Sequence, residues 1–183
     1  MSTELCEPTF DPDTLRESYS DDDAVAARIA ELRIEIRDAP EEIAELMARG
    51  DLVELLRCSQ SLDEALSEAL AAVDRADIAG TAAQQHTARV RLAQVHHWRG
   101  EYPDSTVLFT ELLAAAKEFG PVVEAFTHQQ AGVNDYDQGH WTDAVEHFAR
   151  AVTIRDELEL ADHERAVSRQ SLAAARRRQE AGS

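Results

Sequence analysis

The chain resembles itself at a spacing of about 40 residues, and this internal repeat restricts its fold more than any other feature. One copy of the pattern consists of Ala93, Gly100, Tyr102, Ser105, Phe109 and Leu112. A second copy keeps every interval 39 residues later, at Gly132, Gly139, Trp141, Ala144, Phe148 and Ala151. A looser copy lies 40 residues earlier, at Val53, Gln60, Leu62, Ala65, Ala69 and Ala72. Because one unit of this length cannot bury its apolar face alone, the repeat predicts an array of stacked units.

Proline and glycine residues follow the same phase as the repeat. Pro40 and Pro121 lie two periods apart, and we expect each near the start of a helix, where a missing N–H costs nothing. Gly80 and Gly120 lie one period apart, where we expect helices to end in a left-handed residue. Pro103 opens the second helix of its own copy. Each unit is therefore predicted to be two helices joined by a short turn.

The spacing of apolar residues predicts only helices, and no strand is expected. The repeat helices cover about 41–58, 62–77, 82–99, 103–118, 122–138 and 142–158. A further helix is predicted over 22–37, after the cap candidates Asp22 and Asp23. One face of that helix carries Val25, Ile29, Leu32 and Ile36. The sequence thus predicts an all-α protein whose array is closed at its N-terminal end by the helix over 22–37.

The last predicted helix covers about 162–180 and begins at the cap candidate Asp162. Val167 and Leu172 are its few large apolar residues, and it ends in the arginines 176–178. We expect it to cap the array at the C-terminal end with one solvated face. Residues 1–21 are acidic and irregular, and we expect a partly disordered tail. The predicted organisation is this tail followed by a repeat domain over 22–183, with repeats at about 41–80, 81–120 and 121–160.

The pattern resembles the tetratricopeptide repeat, in which small residues stand where two helices cross and a glycine precedes the turn. Here the small residues are Ala93, Ser105, Gly132, Ala144 and Ala151, and the aromatic plugs are Phe109 and Phe148. Small side chains let helix axes approach closely. The resemblance covers about residues 41–158, with a period of 39 to 40 residues in place of 34. It implies a right-handed α-solenoid of helical hairpins.

The resemblance also implies a concave groove, lined by the first helix of each repeat, that binds a segment of another protein. Carried over by position, the groove residues are Glu54, Arg57, Val90, Gln94, His97, Trp98, Gln129, Val133, Tyr136 and Asp137. Trp98 and Tyr136 are of the kind that dominates binding hot spots. Two alternatives stay open at this point: Trp98 is buried by a neighbouring helix, and the glutamines merely face water.

The charge of the chain argues against nucleic acid as a partner. It has 36 acidic and 18 basic side chains, a net charge of -18, so its field opposes phosphate backbones. The longest apolar run, Leu112 to Ala116, is far too short to cross a bilayer. The first 20 residues lack the basic start and apolar stretch of a signal peptide. We therefore expect a cytoplasmic protein that binds no membrane.

Neither a metal centre nor a catalytic site is predicted. His96 and His97 point about 100° apart on a helix, and His128 and His140 are expected to lie elsewhere along the array. Cys58 lacks a positioned base and is expected to be a small packed residue. There is no glycine-rich phosphate loop, so we expect no cofactor and no enzymatic activity.

Two questions of function stay open in the sequence. The arginines 176–178, with Arg165 and Arg169, either solvate a fraying helix end or pair with an acidic partner, including a second copy in a homodimer. The leading hypothesis is a non-enzymatic protein-interaction module or scaffold that holds a partner segment in its groove. The alternative is a regulatory sensor that binds a short signalling peptide and acts through a second protein.

Overall fold

The computed structural model describes residues 8–182, and the all-α prediction is confirmed over this range. The helices are α1 (Asp22–Arg37), α2 (Glu42–Cys58), α3 (Leu62–Ala79), α4 (Ala82–Trp98), α5 (Tyr102–Ala115), α6 (Pro121–Asp137), α7 (Trp141–Glu157) and α8 (Asp162–Ala181). A 3₁₀ turn, Ala116–Phe119, extends α5. Every predicted helix is present, because its apolar spacing, turns and breakers favour the same element.

The described residues divide into two units, each with a core of its own. The first contains 8–9 and 17–101, and the second contains 10–16 and 102–182. In the first unit α1, α2, α3 and α4 pack each on the next, and α2 also contacts α4. In the second unit α5, α6, α7 and α8 pack in the same sequential way, and α8 also reaches α6. This sequential packing is typical of helical repeats.

The turns between paired helices have the backbone conformation that the repeat predicts. Gln60, Gly100 and Gly139 occupy the same repeat position, and their φ angles are 62°, 75° and 78°. A left-handed residue there lets the chain reverse within two or three residues. Gln60 adopts this conformation without being a glycine, which explains why the first repeat matched less clearly.

Close packing at the predicted crossing positions is confirmed in the α6–α7 pair. A Cβ atom at Gly132 would lie 2.7 Å from Cε1 of Phe148, far inside van der Waals contact. Phe148 and Ala144 are fully buried, as is Ala151. A side chain at position 132 is therefore excluded by the ring that fills the space between the helices.

Three predicted helix ends need correction. Asp21, rather than Asp22 or Asp23, caps α1, since its carboxylate accepts a hydrogen bond from the N–H of Ala24 at 2.9 Å. The cap of α8 is Ala161, which makes no side-chain bond, and Asp162 is the first helical residue. A carboxylate is still favourable there because the helix dipole is positive at that end.

The glycines at two helix ends differ from each other. Gly120 is left-handed as predicted, with φ at 93°. Gly80 has φ at -81° and ψ at 152°, so the chain leaves α3 in an extended conformation. The prediction of a left-handed residue at Gly80 is therefore wrong.

The buried face of α8 consists of small residues, contrary to the prediction from its large apolar ones. Val167 and Leu172 are only partly buried. The buried positions are Ser168, Ser171, Ala174 and Ala175. Small side chains allow α8 to lie close to α7, and the two serine hydroxyls find partners in the core.

A short β-hairpin precedes the helices, where no strand was predicted. Its strands are β1 (Thr9–Asp11) and β2 (Arg16–Ser18). In the connecting turn the Asp11 carboxylate accepts bonds from the N–H of Asp13 at 2.8 Å and the hydroxyl of Thr14 at 2.9 Å. Each strand has three residues, too few for the alternation that signals a strand in sequence. The part of the predicted tail over 1–7 lies outside the described residues.

None of the described helices combines the length and the apolar character that crossing a membrane requires.

Candidate partner-binding surfaces

In the first unit, the predicted groove residues at the C-terminal ends of α2 and α4 come together. The guanidinium carbon of Arg57 lies 4.5 Å from the ring centroid of Trp98, which is a cation–π arrangement. Arg57 is buried, with 7% of its surface exposed, and Trp98 is half-buried. Glu54, one turn before Arg57 on α2, is also partly exposed. These three residues form what we call the α2–α4 surface.

The remaining predicted residues of α4 do not offer an open surface. Val90 is fully buried, while Gln94 and His97 are 6% and 2% exposed. The prediction that these three face a groove accessible to a partner therefore needs correction. They lie on a helix that packs against both α2 and α3, so most of its circumference is covered.

Tyr19, a residue that the sequence analysis missed, belongs to the surroundings of the α2–α4 surface. Burial raises the pKa of its phenol to about 12, and the negative charge of Glu54 acts in the same direction. Burial likewise raises the pKa of the neighbouring Cys58 thiol to about 11, which makes it a poor nucleophile. The chain just after β2 thus lies beside the C-terminal end of α2, at the predicted groove position.

In the second unit, the predicted groove residues of α6 contact the chain's own N-terminal segment. The Arg16 guanidinium lies 2.8 Å from Oδ2 of Asp137. The hydroxyl of Tyr136 donates a hydrogen bond to the carbonyl oxygen of Asp13 at 3.2 Å. That hydroxyl also accepts from Nε of Arg178, on α8, at 3.3 Å. Tyr136 and Asp137 therefore hold an extended piece of polypeptide.

An apolar contact accompanies these polar ones. Leu15, with 4% of its surface exposed, belongs to one core cluster with Val133 and Tyr136. Phe10 and Trp141 pack against the edge of the same cluster. We call the residues that hold the segment, namely Val133, Tyr136, Asp137, Trp141 and Arg178, the α6 surface. Leu15 and Arg16 were not predicted as ligands of this surface, because the repeat pattern contains no information on residues outside it.

Gln129, also predicted in the groove, has a different position. It is 3% exposed, its Nε2 donates to the hydroxyl of Ser171 at 3.1 Å, and its Oε1 accepts from Ser168 at 2.7 Å. Ser168 in turn accepts a bond from the buried Arg155 at 2.8 Å. Gln129 therefore joins α6 to α8 in a buried polar network and is not available to a partner.

A histidine pair between α6 and α7 was missed by the sequence analysis, which expected His128 to lie apart from the other histidines. The Nδ1 atoms of His128 and His147 are 3.0 Å apart, and Nε2 of His147 is 3.5 Å from a carboxylate oxygen of Asp135. Burial lowers the pKa of both imidazoles, that of His128 to about 4. Burial, with repulsion from Asp143, raises the pKa of Asp135 to about 6. One ring must donate and the other accept, so at least one imidazole is neutral.

No protein-family model matches this chain, and neither does the sequence of any curated protein. The similarity to the tetratricopeptide repeat therefore stays a resemblance in pattern, carried by the repeat positions, the turns and the close α6–α7 packing.

Proposed function

We propose that the chain is a non-enzymatic, cytoplasmic interaction module that holds an extended segment of another protein on the first helices of its repeats. The observation that carries the proposal is the contact between the α6 surface and the segment over 10–16. Tyr136 and Asp137 follow from repeat position alone as ligand-binding residues, and both bind an extended stretch of polypeptide.

The contacts on α6 are those expected of peptide recognition. A side-chain donor reaches a backbone carbonyl, a carboxylate meets a guanidinium, and a leucine enters an apolar site. The backbone contact supplies affinity for any extended chain, and the other two select side chains. A partner segment would use the same three kinds of contact.

The α2–α4 surface supports the same proposal from the first unit. Trp98 offers a large rigid ring that is only partly buried, and the stacked Arg57 holds it in place. Tryptophan and arginine are the residues most enriched in binding hot spots. The neighbouring Tyr19 again places extended chain beside this surface.

The test is quantitative capture of partners from native lysate by the full chain. We expect Trp98→Ala to weaken the recovered interaction by about 2 kcal/mol, which is roughly 30-fold in affinity. Val107→Ala is the matched control, because Val107 is an exposed apolar residue of α5 outside the predicted set. Capture that is equal for the wild type and both variants, or absent for all three, would contradict the proposal.

A sensor for short peptides is the second candidate, and the size of the segment held on α6 favours it. The stretch between Asp13 and Arg16 makes all three kinds of contact within four residues. A short peptide ligand at 100 times its Kd should stabilise the fold by about 2.7 kcal/mol. Thermal unfolding with short peptides measures this stabilisation, and a module that needs a long partner segment would show none.

A further inference from the structure

The segment that lies on the α6 surface is strained at the residue that anchors it. Leu15 has φ at 55°, in the left-handed region that residues with large side chains rarely adopt. Its side chain is nevertheless buried with Val133 and Tyr136. Burial of the leucine therefore holds the backbone in an unfavourable conformation, and a ligand without that strain would bind better.

The segment also leaves part of the site unfilled. A cavity of about 340 Å³ remains beside it, lined by Asp13, Arg16, Tyr136, Asp137, Trp141 and Arg178. The Arg16–Asp137 pair at its edge is partly exposed, with 30% and 17% of the two side chains accessible. Exposed ion pairs contribute little to stability. The resident segment is thus an incomplete ligand that water can compete with.

The charge of the segment is unfavourable for this chain except at one position. Residues 1–27 contain eight acidic side chains and a single basic one, Arg16, within a chain of net charge -18. Asp137 binds that one base. A segment with the same leucine–arginine pair but a basic surrounding would gain from the field that the acidic segment opposes.

We propose that the α6 surface is a docking site for an extended, basic segment of another protein that carries a leucine followed by an arginine. In the free chain, Asp13–Arg16 occupies this site as an intramolecular competitor. The inference rests on the proposed function and adds to it the chemistry of the partner and its regulation: the partner must displace the chain's own segment.

The experiment measures binding of a labelled peptide to the full chain by fluorescence anisotropy. The probe has the sequence of residues 9–18 with lysine in place of Glu17 and Ser18. Arg16→Asp removes the resident pair and repels Asp137, so it opens the site without altering α6. We expect the Arg16→Asp chain to bind the probe at least tenfold more tightly than the wild type. Arg33→Asp is the matched control, since Arg33 pairs with Glu64 far from this surface in sequence, and it should bind as the wild type does.

Charge reversal tests whether the probe occupies the same site. The Asp137→Arg chain should bind the probe at least tenfold more weakly than the Arg16→Asp chain does. It should bind a second probe, with aspartate in place of the arginine, more tightly than the first. The double variant Arg16→Asp/Asp137→Arg restores an ion pair of reversed polarity and should again exclude the second probe.

Two results would overturn the inference. If wild-type and Arg16→Asp chains bind the probe equally, or neither binds it, the segment does not compete for a docking site. If Arg16→Asp changes the oligomeric state in light scattering and fails to bind the probe, the segment serves exchange between copies instead. Either result leaves the proposed function standing when Trp98-dependent capture of a partner persists, whereas loss of capture by every variant contradicts the module itself.

Discussion

Glycine 132 allows a direct test of the packing that defines the repeat. Alanine at this position would place Cβ 2.7 Å from the Phe148 ring, which is fully buried and cannot move aside. Overpacking of this kind costs about 1 to 3 kcal/mol. Replacing a mid-helix glycine by alanine returns about 1 kcal/mol of helix propensity. We therefore expect Gly132→Ala to lower the free energy of unfolding by about 1 kcal/mol.

Gly50 provides the matched control, because it is also a buried glycine inside a helix. A Cβ there would lie 2.9 Å from a terminal nitrogen of Arg91, the flexible end of a long side chain. Arg91 can swing away, so the propensity gain should prevail and Gly50→Ala should stabilise by about 0.5 to 1 kcal/mol. Urea unfolding followed by far-ultraviolet circular dichroism measures both variants.

A double-mutant cycle with Phe148→Leu completes the test. The smaller leucine should remove most of the cost of Gly132→Ala, giving a coupling energy of about 0.5 to 3 kcal/mol. If Gly132→Ala and Gly50→Ala shift stability in the same direction, or if the cycle shows no coupling, the close contact between α6 and α7 does not decide the preference for glycine.

Three further outcomes are expected. Phe109→Ala, at a residue 3% exposed, should cost about 3 to 5 kcal/mol, whereas Trp98→Ala should cost clearly less in urea unfolding, and equal costs would place Trp98 in the core. Since burial lowers the pKa of His128 from 6.5 to about 4, and lowers that of His147 as well, their contribution is present above pH 6.5 and lost as the pH falls towards 4. His128→Gln should make stability fall less over this range, and an unchanged pH profile would contradict that reasoning. Burial raises the pKa of Asp135 from 3.8 to about 6, so its contribution is present below pH 3.8 and lost as the pH rises through 6; Asp135→Asn should therefore stabilise the protein more at pH 7 than at pH 4, as thermal unfolding at the two pH values can show.

The helices and turns were predictable because they depend on neighbours in sequence. Apolar spacing, the repeated left-handed turn at Gly100 and Gly139, and proline at the start of α6 act within a few residues. The close approach at Gly132 was also predictable, since the repeat places a small residue opposite an aromatic one. Exact caps such as Asp21 were missed by one position, because several acidic residues in a row satisfy the same pattern.

Some pairings were present in the sequence and could have been found from it. An antiparallel hairpin that brings Gly132 to Phe148 must also bring His128 close to His147, one turn further along α6. Treating the histidines one at a time along the array concealed this pair. Once two antiparallel helices and one contact between them are known, the remaining contacts follow from helical geometry.

Other features were decided by the tertiary structure alone. The repeat pattern selected Tyr136 and Asp137 as ligand-binding residues, but it could not reveal that Leu15 and Arg16, more than 100 residues away, bind them. Nor could it show that Gln129 faces Ser168 and Ser171 instead of a groove. The sequence by itself determined the period, the helices and the positions where backbones approach, since each depends on interactions within one unit. Which surface is covered, and by which segment, depends on the free energy of burying distant residues together, and only the folded chain supplies that contact.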